Sequence, residues 1–130
     1  MTGYADPEIL IGTWLHAQTG LKVYVDRDFN GNERSLAAVA HLQRAPGSDD
    51  VALSLDDVLL DIDVYAADSD HARNAANTIW SAMTFQLPRT TFDNGVFVTR
   101  SVAVTRPCWA PDPTLKRRTA AYRVILHGIV

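Results

Sequence analysis

The sequence predicts an α+β domain: a mixed, mainly antiparallel sheet with two helices packed on one face, in the order α-β-β-β-α-β-β. Three observations predict it. Two stretches carry helical spacing behind a capping residue, and five read as strands. The strands follow one another in runs rather than alternating with helices, which argues against a doubly wound sheet. The chain has 130 residues with 47% hydrophobic and 21% charged side chains, enough for a core of its own, so residues 1–130 are read as a single domain.

The first helix opens at Asp6, a capping residue, with Pro7 at the tolerated first position and Glu8 at the positive end of the helix dipole. Ile9, Leu10, Trp14 and Ala17 recur at helical spacing and are the expected buried face, and Gly20 is the expected stop. Leu21 to Asp26 alternates as a short strand. The ten residues DRDFNGNERS (26–35) then read as an exposed loop, too long for a tight hairpin. Leu36 to Arg44 is rich in alanine, but it is short and ends at Ala45-Pro46-Gly47, so it reads as a strand. In the apolar stretch Val51 to Tyr65, Leu60, Ile62 and Val64 alternate with Asp61, Asp63 and Tyr65, the pattern of a half-buried strand; Val51 to Ser54 pairs separately or leads in irregularly.

Asp68 or Ser69 caps the second helix, whose apolar face is Ala72, Ala75, Ala76, Ile79, Trp80 and Met83 and whose end lies near Leu87-Pro88. Thr91 to Gly95 is a loop. Val96 to Arg106 is a strand with Val96, Val98, Val102 and Val104 on one face, interrupted by Arg100. RPCWAPDP (106–113) has three prolines in eight residues and is expected to be irregular. Thr119 to His127 closes the sheet with Tyr122, Val124 and Leu126 inward.

Composition narrows the function classes. A net charge of −3 is a poor start for a protein that binds nucleic acid through its phosphates. A single cysteine, Cys108, excludes an intramolecular disulfide and a thiolate cluster. No apolar run approaches the ~20 residues that span a bilayer, and MTGYADPEIL lacks the basic start and apolar stretch of a signal peptide, so a soluble, cytosolic chain is expected. The seven glycines are scattered, without a phosphate-cradling motif. His16, His41, His71 and His127 have no metal-ligand spacing and read as surface or strand residues, and Cys108 reads as a packed thiol. No cofactor is expected.

Four features remain. Asp61 and Asp63 share a strand face, roughly 7 Å apart; paired carboxylates serve glycoside hydrolysis or bind Mg²⁺, but such a site needs further ligands that the sequence does not name, so they read as the solvent face of an amphipathic strand or the lining of an interface. Arg100 and Arg106 either pair with acidic residues of a neighbouring strand or lie at the sheet margin, and Arg123 shares the outward face of the last strand; an opposite-charge ladder with Asp61 and Asp63, or a subunit contact, follows. Lys116-Arg117-Arg118 is too short a basic run for nucleic acid and reads as a solvated turn or an anchor on an acidic partner. Trp109, held between prolines, either anchors an interface or folds back over one end of the core.

Three pieces, DPEILIGTWL (6–15), LLDIDVYAADSDHARNAANTIWSAM (59–83) and RPCWAPDPTLKRRTAAYRVILHG (106–128), together resemble the tail terminator family of long-tailed bacteriophages, grouped with small minor tail and head–tail joining proteins. The likeness lies in an acidic strand running into an alanine-rich helix, and a WxPDP-like loop before a final Tyr-containing strand. It covers most of the chain from Ile9 onward, except DRDFNGNERS, which matches nothing. The resemblance implies a virion structural protein rather than an enzyme. Such proteins form a ring, commonly of six subunits, on the head-proximal end of the tail tube. The ring stops tube polymerisation and offers a surface to the head-completion protein, while DNA passes through the bore without specific binding. The implied partners are further copies of the chain, the major tail tube protein and a head-completion or connector protein, with no membrane.

On this reading Arg27, Asp28 and Glu33, together with Trp109, Asp112, Arg117 and Arg118, are expected at subunit or tube contacts. Arg100 is expected at a subunit contact, and Asp61 and Asp63 at an interface or facing a negatively charged bore. Three alternatives stay open: a head–tail adaptor or stopper in the same virion, a small metal-dependent hydrolase using Asp61 and Asp63, and a cellular ligand-binding α+β domain.

Overall fold

The computed structural model describes residues 6–25, 38–45, 49–52 and 55–127. Helix α1 (Pro7–Thr19) begins and ends where its local chemistry dictates. The Asp6 carboxylate accepts from the Glu8 N–H at 3.0 Å, and Gly20, at φ 74°, takes the left-handed conformation that closes the helix by donating to the His16 carbonyl at 2.8 Å. Strands β1 (Lys22–Val25), β2 (Ala38–Arg44), β3 (Asp49–Ala52) and β4 (Leu55–Ala66) follow. Helix α2 (Ser69–Ser81) is capped by Asp68, which accepts from the His71 N–H at 2.8 Å; it runs into a π-helical turn, Ala82–Gln86. The last two strands are β5 (Phe97–Ala110) and β6 (Lys116–His127).

The sheet order is β1-β2-β4-β6-β5, with β3 also on β4. Among the described residues β1–β2 is the parallel pair; β2–β4, β3–β4, β4–β6 and β5–β6 are antiparallel. The chain is therefore an α+β domain of the expected order, with Val51 to Tyr65 divided between β3 and β4. Strand β6 occupies one flank of β4 along its whole length, so β2 and β3 lie end to end along the other.

Both helices cover the same face. Ile11 and Leu15 of α1, and Ala75, Ala76 and Ile79 of α2, share one core with Ala40 and Leu42 of β2, Val58 to Val64 at every second residue of β4, and Ala120 to Leu126 of β6. The alternation read in β4 and β6 holds: the even-numbered residues meet the helices and the odd-numbered ones form the opposite, helix-free face. Tyr122 is fully buried; its hydroxyl finds no hydrogen-bond partner among the described residues, and burial raises its pKa.

Four expectations are corrected. The buried side of α1 is Pro7, Ile11, Gly12 and Leu15; Ile9 is 54% exposed, Ala17 is exposed, and Leu10 and Trp14 are only half buried. The helix is apolar around most of its girth, and Gly12 selects the stripe, because its missing side chain lets α1 settle on Val23 and Val25 of β1. The four valines of β5 do not share a face: Val96 and Val98 are buried, Val102 is half buried and Val104 is exposed. A register shift between Val98 and Arg100 turns the alternation over and brings Ser101 inward instead.

Residues Arg106–Ala110 are strand, not irregular. β5 is an edge strand with further register shifts before Cys108, and an edge bulge tolerates the missing N–H of Pro107. β6 likewise begins at Lys116, so Lys116, Arg117 and Arg118 are strand residues. The turn before them closes early because the Asp112 carboxylate accepts from the N–H groups of Leu115 and Thr114 at 2.9 and 3.1 Å.

Candidate assembly surfaces

The helix-free face is a ladder of opposite charges. Asp63 on β4 meets Arg117 on β6 at 2.9 Å, and Asp57 meets Arg123 at 3.0 Å. The register places Arg117 opposite Tyr65 and Arg123 opposite Leu59. Each arginine therefore reaches diagonally to the carboxylate two residues earlier on β4, a distance that long side chains span readily. The Arg117 guanidinium also lies 5.8 Å from the centre of the Tyr65 ring. Asp61 stands between the two ion pairs, opposite Ala121 and Gln43. Partial burial, and secondarily the charge of Asp63, raise its carboxyl above the ordinary value of 3.8. The expected ladder is thus present with different pairing: Arg123 serves Asp57, and Arg117, not Arg123, serves Asp63.

The second surface is the closed end of the β5–β6 hairpin. Trp109 is 64% exposed and stands directly opposite Arg118, so the two side chains project on the same side. Trp109 does not fold back over the end of the core. Arg118 is half buried beside Pro107, Ile62 and Val64, on the side of the sheet that carries the helices. Asp112 serves the turn itself. Against a desolvation penalty, the N–H groups of Leu115 and Thr114, the Thr114 hydroxyl and the charge of Arg117 hold its carboxyl below the usual carboxylate range.

The structure thus brings Asp61, Asp63 and Arg117 together on one face, and Trp109 and Arg118 at one hairpin end. Arg100 is exposed on the same helix-free face, in the row of Ile125 and Asp57, toward the end of the ladder away from Arg117. Arg27, Asp28 and Glu33 lie outside the described residues. Cys108 is exposed rather than packed, with its sulfur 3.7 Å from the Thr119 carbonyl, because it lies on the edge strand. Among the described residues, no group of three or more His, Cys, Asp or Glu side chains is placed to hold a metal ion. No helix of these residues is long and apolar enough to cross a membrane.

Two surfaces escaped the sequence reading. Ile9, Leu10, Trp14 and Ala17 of α1 form one wall of a cleft of about 580 Å³, and Thr90 to Asn94 form the other. Their helical spacing was visible, but spacing does not say which of two apolar stripes meets a sheet. The other is an aromatic patch where the π-helical turn meets β5. Phe85, 71% exposed, packs edge-on against Trp80 with ring centres 5.5 Å apart, and the Arg106 guanidinium lies 5.1 Å from the centre of the Trp80 ring. No known family model matches the sequence, and no curated protein matches it.

Proposed function

We propose that this chain is a virion structural protein of a long-tailed bacteriophage. It closes into a ring on the head-proximal end of the tail tube, stops tube growth and offers the free side of the ring for head attachment. One observation supports this reading above the others. The sheet buries one face under both helices and leaves the other with two cross-strand ion pairs whose carboxylates are half buried, beside a hairpin end bearing exposed Trp109. An exposed aromatic beside an arginine is the chemistry of protein–protein contact, and a polar, ion-paired face suits the rim of one. The pieces that resemble tail terminators fall on α1, on β4 with α2, and on the hairpin with β6, so they frame these surfaces.

On this reading the mechanism is geometric. A ring requires a heterologous contact, two different patches that meet head to tail until the rotation closes. Once seated on the tube end, it occupies the growing edge. The carboxylates of Asp61 and Asp63 belong to an interface or face the bore, where like charge keeps DNA sliding.

Electron microscopy of the purified chain, alone and co-expressed with a phage major tail tube protein, tests the reading. Closed rings with a bore of about 20 Å or more, seated at one end of length-limited tubes, are expected. Tubes that grow without limit and carry no ring at their ends would end the proposal.

A further inference from the structure

We infer that the hairpin end of one copy, led by Trp109 and Arg118, docks into the cleft between α1 and the Thr90–Asn94 loop of a second copy; this deepens the ring reading and rests on it. The two surfaces are complementary in polarity and in charge. The cleft is concave, about 580 Å³, and lined by Ile9, Leu10, Trp14 and Phe92. Among the described residues that line it, the charged one is acidic: Asp93. The hairpin end presents an indole that is 64% exposed, with Arg118 directly across the ladder and Lys116 two residues away on the same side of β6. An indole entering an apolar cleft beside a guanidinium that meets a carboxylate is the residue chemistry that dominates protein interfaces. A tryptophan held in a β-ladder also loses little conformational freedom on docking.

The two patches of one copy do not reach each other. The cleft lies where β5 begins, since the N–H groups of Arg89 and Val98 bond the carbonyls of Val98 and Thr90. The indole lies near the other end of β5: the ladder sets Phe97 opposite His127 and Trp109 opposite Arg118, nine steps of β6, or about 30 Å at the ordinary rise. The cleft of one copy is therefore filled by the hairpin of the next, and the same contact repeated head to tail generates a ring or an open chain.

Two variants at exposed positions test the contact without touching the core. Trp109→Ser disables the hairpin and leaves the cleft intact; Ile9→Lys with Asp93→Lys disables the cleft and leaves the hairpin intact. By sedimentation velocity the parent chain is expected to self-associate, and each variant alone to do so about thirtyfold more weakly or less, as loss of an interface anchor predicts. An equimolar mixture retains one intact contact and is expected to form a heterodimer and nothing larger. Variants that associate like the parent, a mixture that stays monomeric, or a parent with no self-association would each overturn the inference. Rings by microscopy that persist in both variants would remove this contact and leave the ring reading standing. A mixture that pairs as expected, from a parent that never closes a ring, would keep the contact and remove the ring. Melting temperatures equal to the parent's exclude misfolding as the cause.

Discussion

Asp61 is the side chain whose charge works against the fold. Asp57 and Asp63 each have an arginine across the ladder, whereas burial and then the charge of Asp63 raise the Asp61 carboxyl above its ordinary value. A carboxyl with a raised folded-state pKa holds its proton more tightly folded than unfolded. It costs stability above that raised value, and the cost fades as pH falls toward 3.8. Asp61→Asn is therefore expected to raise the melting temperature at neutral pH. The gain should shrink as the pH is lowered through the window between the raised value and 3.8, and thermal melts across pH would measure it. If Asp61 lines an assembled bore, the same variant separates its roles: stability rises while ring formation by microscopy is unchanged.

At the scale of elements, Gly12 and β5 show how neighbours overrule local pattern. A Cβ on Gly12 would lie 3.2 Å from a methyl carbon of Val25 and 3.7 Å from one of Val23. A valine there would press two methyl groups against branched side chains with little room to turn aside. Gly12→Val is expected to cost about 1–3 kcal/mol by overpacking, read as a lower denaturant midpoint with an unchanged slope. Strand β5 is the converse case: three register shifts and Pro107 loosen its pairing, yet its long ladder with β6 holds it in the sheet. Those irregularities also suit an edge strand, because bulges and proline discourage further strands from adding to it. Contact through side chains such as Trp109, rather than through the strand edge, is consistent with that.

The whole molecule is tied together at one end by a buried charge. Asp56 is fully buried, and the Arg44 guanidinium binds it through two hydrogen bonds at 2.9 and 3.3 Å. The Arg44 N–H in turn donates to the Glu8 carboxylate at 2.9 Å, so β2, β4 and α1 meet at this point. Arg44→Ala removes the bidentate partner of a carboxylate that water does not reach. A loss of about 3 kcal/mol or more is expected, from the lower end of the range for a broken buried pair. Equilibrium unfolding would measure it, and Asp56→Asn in the same chain is expected to restore much of the loss. Because three elements share the network, far-ultraviolet circular dichroism and tryptophan fluorescence should shift together in the variant.

Much of the fold was legible in the sequence because its signals act within a few residues. Asp6, Pro7 and Gly20 delimit α1 by hydrogen bonding and backbone conformation. Asp68 begins α2 in the same way, and alternation assigns the two faces of β4 and β6. Those local preferences, with the runs of strands, determine an α+β domain whatever else the chain does. Tertiary structure decided what depends on a distant partner: which stripe of α1 is buried, how β5 continues through Pro107, that Asp57 rather than Asp61 meets Arg123, and that Trp109 stands in solvent. The candidate surfaces belong to that second group. An exposed tryptophan and a buried one have the same spacing in sequence, and only the arrival of helices and strands from elsewhere in the chain determines which side chains remain uncovered.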